Sequence, residues 1–446
     1  MTSLDAIADA IADVVAAATA DGIAGGVTRL VAEGSLAAGA RLPTVRSLAR
    51  RLEVSPTTVA GAWRHLVDDG VIETRKRAGS FVAASPAPRR RSWLSGQPGR
   101  WRLDLSAGTP DAALLPEIPR AVREGGAGAT RSYRGPVVLP ELEEIIRDRA
   151  PFTPEKVTVV DGALDALDRV CAQVIRRGAA VIVEDPCFPP IAELVELHGG
   201  RLVPVPIDDE GLQMALTESA SVIIYQPRAA NPTGVTTSRR RMASLGRFVE
   251  RHPDVIVIED DSAGDIAFTP PQTLAATHAE SVVHIVGFSK SHGPDLRLAA
   301  VAGPGRVIDA VVERRRLGPV WTSWTLQGAL LAMLTDPAVI EQIARARSEY
   351  GRRRQGVVAA LGARGLEVGG TDGINLWVPV ADERDAMVAL ASSGIGVAPG
   401  SPFQLRPGTR PHIRVTIATV DSGWDELATL IVEAASGAPP ALRSHV

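Results

Sequence analysis

Apolar positions near the beginning of the chain recur with helical spacing. The segment LPTVRSLARRLEV and the next segment, SPTTVAGAWRHLVDDG, each place apolar residues three or four positions apart, which predicts two short amphipathic helices. Ser55 followed by Pro56 is typical of the start of the second helix, with Ser55 as its N-cap. The segment VIETRKRAGSFVA reads as two short strands around a basic turn that contains glycine. This order of elements predicts a winged helix-turn-helix.

A different pattern begins near Leu103, where apolar, β-branched runs alternate with helical segments. The runs are KVTVVDG, AAVIVED, SVIIYQP, DVIVIEDD, VVHIVGFSK and LAAVAGP. Such alternation predicts a mainly parallel sheet flanked by helices, with ligands bound at the carboxyl ends of the strands. The last segment, from about Glu341, contains INLWVPV and HIRVTIA, which predicts a smaller α/β lobe.

These patterns predict a multidomain chain. The stretch AASPAPRRRSWLSGQPGRW lacks periodicity and is rich in proline, serine, glycine and arginine, as linkers are. We therefore expect a winged helix-turn-helix DNA-binding domain over residues 1–84, a linker over 85–102 and an α/β domain over 103–446. Within the α/β domain we expect a large lobe over about 120–340 and a small lobe over about 341–446.

Charge is concentrated in one part of the chain. The protein has a net charge of -3, whereas residues 40–92 hold eleven basic and only four acidic residues. Phosphate contacts with double-stranded DNA are therefore expected almost wholly in that segment, because such contacts need basic side chains. The alternative is that this basic face is merely solvated.

Composition excludes several other classes of protein. The two cysteines, Cys171 and Cys187, fit no metal-binding pattern. Asp5, Asp9 and Asp13 occupy the place where a signal peptide needs basic and then uncharged apolar residues. No uncharged apolar run approaches the roughly 18 residues of a membrane span. We expect a cytoplasmic protein with no metal and no membrane partner.

Lysine is nearly absent, which makes each lysine informative. Only Lys76, Lys156 and Lys290 occur among 48 lysine and arginine residues. Arginine replaces lysine as a surface charge but cannot supply a neutral amine nucleophile. Each of the three lysines is therefore a candidate nucleophile. The alternative is that it is a solvated surface charge.

The first domain carries a family resemblance over about fifty residues. The segment GSLAAGARLPTVRSLARRLEVSPTTVAGAWRHLVDDGVIETRKRAGSFV resembles the GntR winged-helix pattern, which implies a second helix in the major groove. By that resemblance Arg46, Thr57 and Thr58 face DNA, and Arg75, Lys76 and Arg77 lie in the wing. Pro56 departs from the pattern, because many relatives carry arginine there.

The surroundings of Lys290 carry a second resemblance. In HIVGFSKSHGPDLRLAAVAGP, Ser289 precedes Lys290 and Arg297 follows seven residues later. This segment strongly resembles the lysine motif of fold type I aminotransferases, which depend on pyridoxal 5′-phosphate. The resemblance implies that Lys290 holds the cofactor as a Schiff base, while Ser289 and Arg297 bind its phosphate.

Other strand ends supply further candidates for a cofactor site. By resemblance, Asp260 in IEDDSAGDI pairs with the pyridinium nitrogen, and Asn231 in the NPTG turn contacts the phenolic oxygen. Gly162 lies where VTVVDG passes into a helix, so the amides of Gly162, Ala163 and Leu164 are placed to cradle phosphate. Ser262 stands where relatives commonly have a tyrosine that tunes the cofactor.

Three aromatic or charged residues complete the candidate site. Phe188, in VEDPCFPPI, either stacks on the cofactor ring, as the resemblance implies, or is a core aromatic. Tyr133, in SYRGPVVLPEL, matches the position that reaches the phosphate of a partner subunit. Arg414, in HIRVTIA, either forms a structural ion pair or grips the carboxylate of an amino-acid-like effector, as in related aminotransferases.

The two resemblances together cover nearly the whole chain. A GntR-type winged helix joined to an aminotransferase-like domain resembles the MocR group of transcriptional regulators. The resemblance implies a homodimeric, DNA-binding regulator that senses pyridoxal phosphate or an amino compound. The alternatives are an active aminotransferase, disfavoured by Ser262, and a structural DNA-binding protein with a vestigial cofactor site, disfavoured by the retention of Lys290.

Overall fold

The chain forms two compact units, residues Met1–Arg90 and Arg91–Val446. A computed structural model describes residues 4–15, 17–32, 35–37, 39–68, 71–75, 79–82, 101–125, 134–213 and 220–437. Within these ranges, none of the helices combines the length and the apolar character that crossing a membrane requires.

The first unit is a winged helix-turn-helix with two additional helices before it. Its elements are α1 Leu4–Val14, α2 Ala20–Ala32, α3 Val45–Arg51, α4 Pro56–Asp68, β1 Ile72–Arg75 and β2 Gly79–Val82. Ile11, Leu48 and Leu66 are fully buried where the helices meet, and β1 pairs antiparallel with β2. The predicted order of helix, turn, helix and hairpin is confirmed.

The large lobe of the second unit is built on an eight-stranded sheet. The strands are β4 Lys156–Val160, β5 Ala180–Asp185, β6 Arg201–Asp208, β7 Gly211–Leu212, β8 Val222–Tyr225, β9 Ile256–Asp261, β10 Val282–Gly287 and β11 Ala299–Gly303. Their spatial order is β4-β11-β10-β9-β8-β5-β6-β7.

Most neighbouring strands of this sheet are parallel, as the alternating pattern predicted. Strand β11 runs antiparallel to β10 and to β4, and β7 runs antiparallel to β6. Because β11 is reversed against both of its neighbours, β4 runs in the same direction as β10. The carboxyl ends of β4, β5, β8, β9 and β10 therefore meet along one edge of the sheet.

Helices cover both faces of the large sheet, which explains why its strands are continuous apolar runs. The helices are α5 Ile118–Gly125, α6 Pro140–Arg149, α7 Ala163–Val174, α8 Pro189–Leu197, α9 Arg239–Arg251, α10 Ala275–His278, α11 Gly305–Arg315 and α12 Trp324–Thr335. Helices α7, α8 and α11 pack on one face of the sheet. Other helices pack on the opposite face, among them α6, α9 and α12.

The small lobe has a four-stranded sheet in the order β12-β14-β13-β3. Its elements are β3 Leu103–Leu105, α13 Pro337–Gly362, β12 Asn375–Pro379, α14 Glu383–Ser392, β13 Ile395–Pro399, β14 His412–Thr416 and α15 Trp424–Ala435. In the second unit, 3-10 turns lie at Ala112–Leu114, at Gly264–Ile266 after β9 of the large lobe, and at Ser401–Phe403 after β13. Strand β3 pairs parallel with β13. A strand from the start of the second unit thus completes a sheet whose other three strands come from the last part of that unit.

Candidate functional site

The residues expected to bind a cofactor lie at the carboxyl edge of the large sheet. Gly162 follows β4, Phe188 follows β5, Asn231 follows β8, Asp260 is the penultimate residue of β9, and Lys290 follows β10. Parallel strands bring these positions together although they span much of the large lobe. This edge is where ligands bind in sheets of this topology.

A chain of hydrogen bonds links the large lobe to the small lobe across this edge. The amide of Gln226 donates from Nε2 to Asp260 Oδ2 over 2.8 Å, and its Oε1 accepts from the backbone N–H of Asn231 at 2.7 Å. Asn231 Oδ1 in turn accepts from Arg414 Nη1 at 3.5 Å and from Asn375 Nδ2 at 3.4 Å. All five side chains are buried, so their positions are mutually fixed.

Asp260 is a buried carboxyl held by two neutral donors. Burial raises the pKa of Asp260. Hydrogen bonds from Ser262 and Gln226 and the positive charge of Lys290 oppose this increase. Ser262 donates its hydroxyl to Asp260 Oδ1. The serine therefore orients the carboxyl that the resemblance assigns to a pyridinium nitrogen.

Lys290 lies in a turn directly after β10, where its side chain is only partly exposed. Burial lowers the pKa of its amine; the charge of Asp260 opposes this effect and that of Arg414 adds to it. A lowered pKa increases the neutral fraction of the amine, which is the nucleophilic form. The site therefore favours condensation of Lys290 with an aldehyde.

A pocket for an anion lies at the start of α7. Gly162 is the N-cap of this helix with φ 108°, a backbone conformation that favours glycine. A Cβ placed on Gly162 would lie 3.2 Å from Arg297 Nη2, so the guanidinium rests directly on this glycine. The first amides of a helix lack intrahelical acceptors. With Arg297 they form a fitting cradle for a phosphate group.

The remaining expected phosphate ligands lie close to this cradle. Ala163 and Leu164 begin α7, and Ser289 is half-buried beside Lys290. A Cβ on Gly287 would lie 3.4 Å from Ala163 Cβ and 3.5 Å from Ser262 Cα. The helix start, the end of β10 and the residues after β9 are thus in contact.

Arg414 is a buried guanidinium without a carboxylate partner among the described residues. It is 1% exposed, donates to the carbonyl of Ser106 and lies 5.1 Å from the ring centroid of Phe403. Its Nε has no hydrogen-bond partner in the part of the chain that the structure describes, and burial lowers its pKa to about 10. The described residues thus do not supply the structural ion pair considered above, so an incoming carboxylate fits this position.

Two aromatic candidates have different positions. Phe188 is half-buried at the start of α8 and packs against the core of the large lobe, which is compatible with either of its two expected roles. Tyr133 lies outside the described residues.

Sequence reasoning missed several residues of this network. Glu184, the penultimate residue of β5, accepts the backbone N–H of Gln226 at 3.1 Å; its burial raises its pKa to about 8. In the sequence, Glu184 could have been noticed as an acid within an otherwise apolar run. Gln226 could have been noticed because it directly follows β8. Asn375 and Ser106 carried no local signal, because only the tertiary fold brings them to Asn231 and Arg414.

The expected DNA contacts of the first unit lie around the turn between α3 and α4. Arg46 is exposed on α3, and Thr57 and Thr58 lie in the first turn of α4. The hydroxyl of Ser55 accepts the N–H of Thr58 at 3.1 Å and lies 2.6 Å from Thr57 Oγ1. Arg75 ends β1, its side chain is outside the described part, and Lys76 and Arg77 are outside it as well.

No group of histidine, cysteine, aspartate or glutamate side chains among the described residues is arranged to hold a metal ion. Both cysteines are buried, and neither forms a disulfide bond among the described residues.

Family models match both units. Residues 19–82 match the model for bacterial regulatory proteins of the gntR family, and residues 102–430 match the model for class I and II aminotransferases. The vitamin B6 salvage pathway transcriptional repressor PtsJ of Salmonella typhimurium is 34% identical over 415 residues, which cover 90% of this chain and 95% of that protein. The pyridoxine biosynthesis regulator PdxR of Corynebacterium glutamicum is 25% identical over 75% of this chain and 77% of its own length.

Solved structures support the fold of the second unit. An aspartate aminotransferase double mutant from Thermus thermophilus superimposes with a TM-score of 0.67 at 24% identity, over 75% of this chain and 92% of its own. An archaeal alanine:glyoxylate aminotransferase superimposes with a TM-score of 0.68 at 20% identity, over 78% of this chain and 94% of its own. The aminotransferase class I and II fold implies dependence on pyridoxal phosphate, and the gntR-type unit implies DNA binding. The chain belongs to the MocR-type transcriptional regulators of the GntR superfamily, in which a winged helix-turn-helix is fused to an aminotransferase-like domain.

Proposed function

We propose that this DNA-binding regulator holds pyridoxal 5′-phosphate at Lys290 and responds to the cofactor or to an amino compound that carries a carboxylate. The response is a change in affinity for double-stranded operator DNA, transmitted within a homodimer. An effector that binds two states of the protein unequally shifts DNA affinity by that difference in binding free energy.

One observation carries the proposal: the unbroken chain of contacts from Asp260 through Gln226 and Asn231 to Arg414, with Lys290 under the influence of both ends. The acid Asp260 suits the nitrogen of a pyridine ring, and the amine of Lys290 suits an aldehyde on the same ring. A carboxylate matches the unpaired guanidinium of Arg414. Among the described residues the Nε of Arg414 has no hydrogen-bond partner, so this guanidinium has a donor left for an added group.

The remaining assignments follow from position. We assign the phosphate to Gly162, Ala163, Leu164, Ser289 and Arg297, with Tyr133 contributed by a partner subunit, the phenolic oxygen to Asn231 and the ring face to Phe188. When bound, pyridoxal phosphate would supply an aldehyde that reacts with an amine and a ring that withdraws electrons. Asp260 would be the carboxylate partner of the ring nitrogen, while Ser262 and Gln226 orient Asp260. DNA contacts are assigned to Arg46, Thr57, Thr58, Arg75, Lys76 and Arg77.

Borohydride reduction of the purified protein tests the cofactor assignment. Borohydride converts an imine into a stable amine, so mass spectrometry of digested protein is expected to find the label on the peptide containing Lys290. The variant Lys290→Ala is expected to lose the label. Lys156→Ala is the matched control, since Lys156 forms only an exposed ion pair with Asp309 at 3.6 Å, and it is expected to keep the label. Label on Lys156 or Lys76 contradicts the assignment.

A second function, that of an active aminotransferase, is favoured by the presence of Asp260, Asn231, Lys290 and Arg414 in one site. Ser262 weighs against it, because a serine bound to Asp260 leaves no phenol at that position to tune the cofactor. We expect candidate amino acids to shift the visible spectrum and the DNA affinity without sustained release of keto acid. Multiple turnovers with an amino donor and acceptor, at about 1 per second or more, establish the enzyme instead.

A further inference from the structure

A chain of hydrogen bonds in the second unit ends on Asn231, the residue assigned above to the phenolic oxygen of the cofactor. It begins at the backbone N–H of Gly108, which donates to Thr416 Oγ1 over 3.1 Å. Thr416 Oγ1 donates to Asn375 Oδ1 over 2.9 Å, and Asn375 Nδ2 donates to Asn231 Oδ1 over 3.4 Å. Thr416, Asn375 and Asn231 are at most 9% exposed. The chain therefore runs through the interior of this unit.

Fixed donors at both ends determine the direction of each bond. The guanidinium of Arg414 can only donate, and its Nη1 lies 3.5 Å from Asn231 Oδ1. The Asn231 atom on this side is therefore the oxygen, so Asn375 meets it with its amide nitrogen. Asn375 Oδ1 then accepts from the Thr416 hydroxyl, which in turn accepts from the Gly108 N–H. Each donor in this chain thus meets an acceptor.

This arrangement leaves the nitrogen of the Asn231 amide for another partner. Both hydrogen bonds that the Asn231 side chain forms within the described part of the chain are accepted by Oδ1. Because the oxygen and the nitrogen of an amide lie on opposite sides of its carbon, Nδ2 is turned away from Asn375 and Arg414. A nitrogen donor suits the phenolic oxygen of the cofactor, which is an acceptor when it is ionised.

The orientation of Asn231 depends on both of its contacts in the small lobe. At 3.4 and 3.5 Å, both are longer than typical N–H···O hydrogen bonds. Arg414 is also the residue proposed to bind a carboxylate, which would compete for its donors. We propose that Asn375 and Thr416 are positioning residues that hold the Asn231 amide with Nδ2 towards the cofactor, also when a carboxylate occupies Arg414. This inference rests on the proposed function, because it requires the cofactor.

The orientation of Asn231 bears on the charge of the bound cofactor. A hydrogen-bond donor to the phenolic oxygen stabilises the ionised form of that oxygen, so it lowers the pKa of the bound cofactor. If the amide turns, Oδ1 faces the phenolic oxygen, and two acceptors then oppose each other. Loss of the orienting contacts is therefore expected to raise the pH at which the visible absorption band changes.

Spectroscopic pH titration of the full-length protein loaded with pyridoxal 5′-phosphate tests the inference. Thr416→Val removes the hydroxyl with little change in shape and leaves Asn375 free to turn, whereas Asn375→Leu removes the amide itself. Both variants are expected to raise the pH midpoint of the visible band by roughly 0.5 to 1 pH unit, which corresponds to one hydrogen bond. Thr416→Ser keeps the hydroxyl and is expected to restore the wild-type midpoint.

Two controls separate positioning from a general structural effect. Thr158→Val removes a buried hydroxyl of β4 that has no hydrogen-bond partner among the described residues, so it is expected to keep the wild-type midpoint. The second control combines Asn231→Ala with Asn375→Leu. If Asn375 acts through Asn231, its replacement is expected to have no further effect once Asn231 is replaced.

Binding of 3-deoxypyridoxal 5′-phosphate, which lacks the phenolic oxygen, gives a second readout. Thr416→Val is expected to bind pyridoxal 5′-phosphate roughly threefold to tenfold more weakly than the wild type does, and to bind the analogue equally well. The inference is overturned if Thr416→Val and Asn375→Leu keep the wild-type midpoint, if Thr158→Val shifts it as much, or if the Asn375→Leu effect persists without Asn231. A wild-type protein that shows no visible band with the cofactor overturns the proposed function itself, and the inference with it.

Discussion

At the scale of residues, electrostatic coupling between Lys290, Asp260 and Arg414 is the central feature of the site. Burial sets the direction of each pKa shift: it raises the pKa of Asp260 and lowers those of Lys290 and Arg414, because a low-dielectric environment disfavours the charged form. The mutual charges then modify each shift. The charge of Arg414 lowers the pKa of the Lys290 amine and so increases its neutral, reactive fraction. The charge of Asp260 raises this pKa and so favours the protonated amine.

This coupling predicts opposite pH shifts in two variants. Arg414→Met removes a positive charge and raises the pKa of Lys290, so cofactor incorporation into the apoprotein moves to higher pH. Asp260→Asn removes a negative charge, lowers the pKa of Lys290 and moves incorporation to lower pH. The measurement is the rate of appearance of the visible absorption band as a function of pH.

The control for these pH profiles is Arg384→Met, at an exposed position of α14, which is expected to leave the profile unchanged. Equal shifts in the same direction for both site variants are incompatible with the proposed arrangement.

At the scale of elements, the turn between α3 and α4 combines a cap with a basic surface. Ser55 Oγ accepts the N–H of Thr58 and contacts the hydroxyl of Thr57, so one side chain both starts α4 and orients two proposed DNA contacts. Arg51 of α3 is bound by Asp9 of α1 at 2.5 Å, which leaves Arg46 more available to DNA than Arg51.

Substitutions in this element separate stability from DNA affinity. Ser55→Ala is expected to lower the free energy of unfolding by about 1 kcal/mol through loss of the cap and to weaken operator binding as well. Arg46→Ala, at an exposed position, is expected to leave stability within about 0.5 kcal/mol while it weakens operator binding and reduces the salt dependence by roughly one phosphate contact.

Thermal unfolding and salt-dependent binding assays measure these effects. Arg384→Ala removes the same charge from the second unit and is the control for Arg46→Ala. If the two arginine variants bind operator equally well, the assignment of DNA contacts to the first unit is wrong.

At the scale of the whole molecule, the charge distribution predicts how the protein meets DNA. With a net charge of -3 and eleven basic residues in the segment 40–92, we expect the contacts with DNA phosphates to lie almost wholly in that segment. In a homodimer we expect two winged helices to protect two half-sites, separated by whole helical turns or by a longer bendable spacer. Footprinting at several salt concentrations, combined with sedimentation analysis of the complex, measures both properties.

The same experiment distinguishes the roles of the two units. Arg414→Met is expected to leave binding of effector-free protein nearly unchanged and to abolish the effect of an added amino acid. Protection of a single half-site by a monomer contradicts the homodimer, and loss of effector-free binding in Arg414→Met contradicts the division of roles.

The sequence by itself determined the elements and the residue types of the site. Helical periodicity and the Ser55–Pro56 start predicted α3 and α4. Runs of β-branched residues predicted β4, β5, β8, β9, β10 and β11. Both kinds of pattern depend only on neighbours along the chain. Local motifs, through their resemblance to a known family, also proposed Lys290, Asp260, Asn231 and Arg414 as candidates.

Only the tertiary structure decided which of these residues are connected and through which partners. The link from Asp260 to Asn231 through Gln226, the contact of Arg414 with Ser106, the pairing of β3 with β13 and the contact of Asn375 with Asn231 all join residues that are far apart in sequence. Such contacts arise when sheets close and lobes pack, and no local pattern encodes them. The tertiary structure also decided that Arg414 has no ion-pair partner among the described residues. Burial and contacts of a side chain are properties of the folded chain.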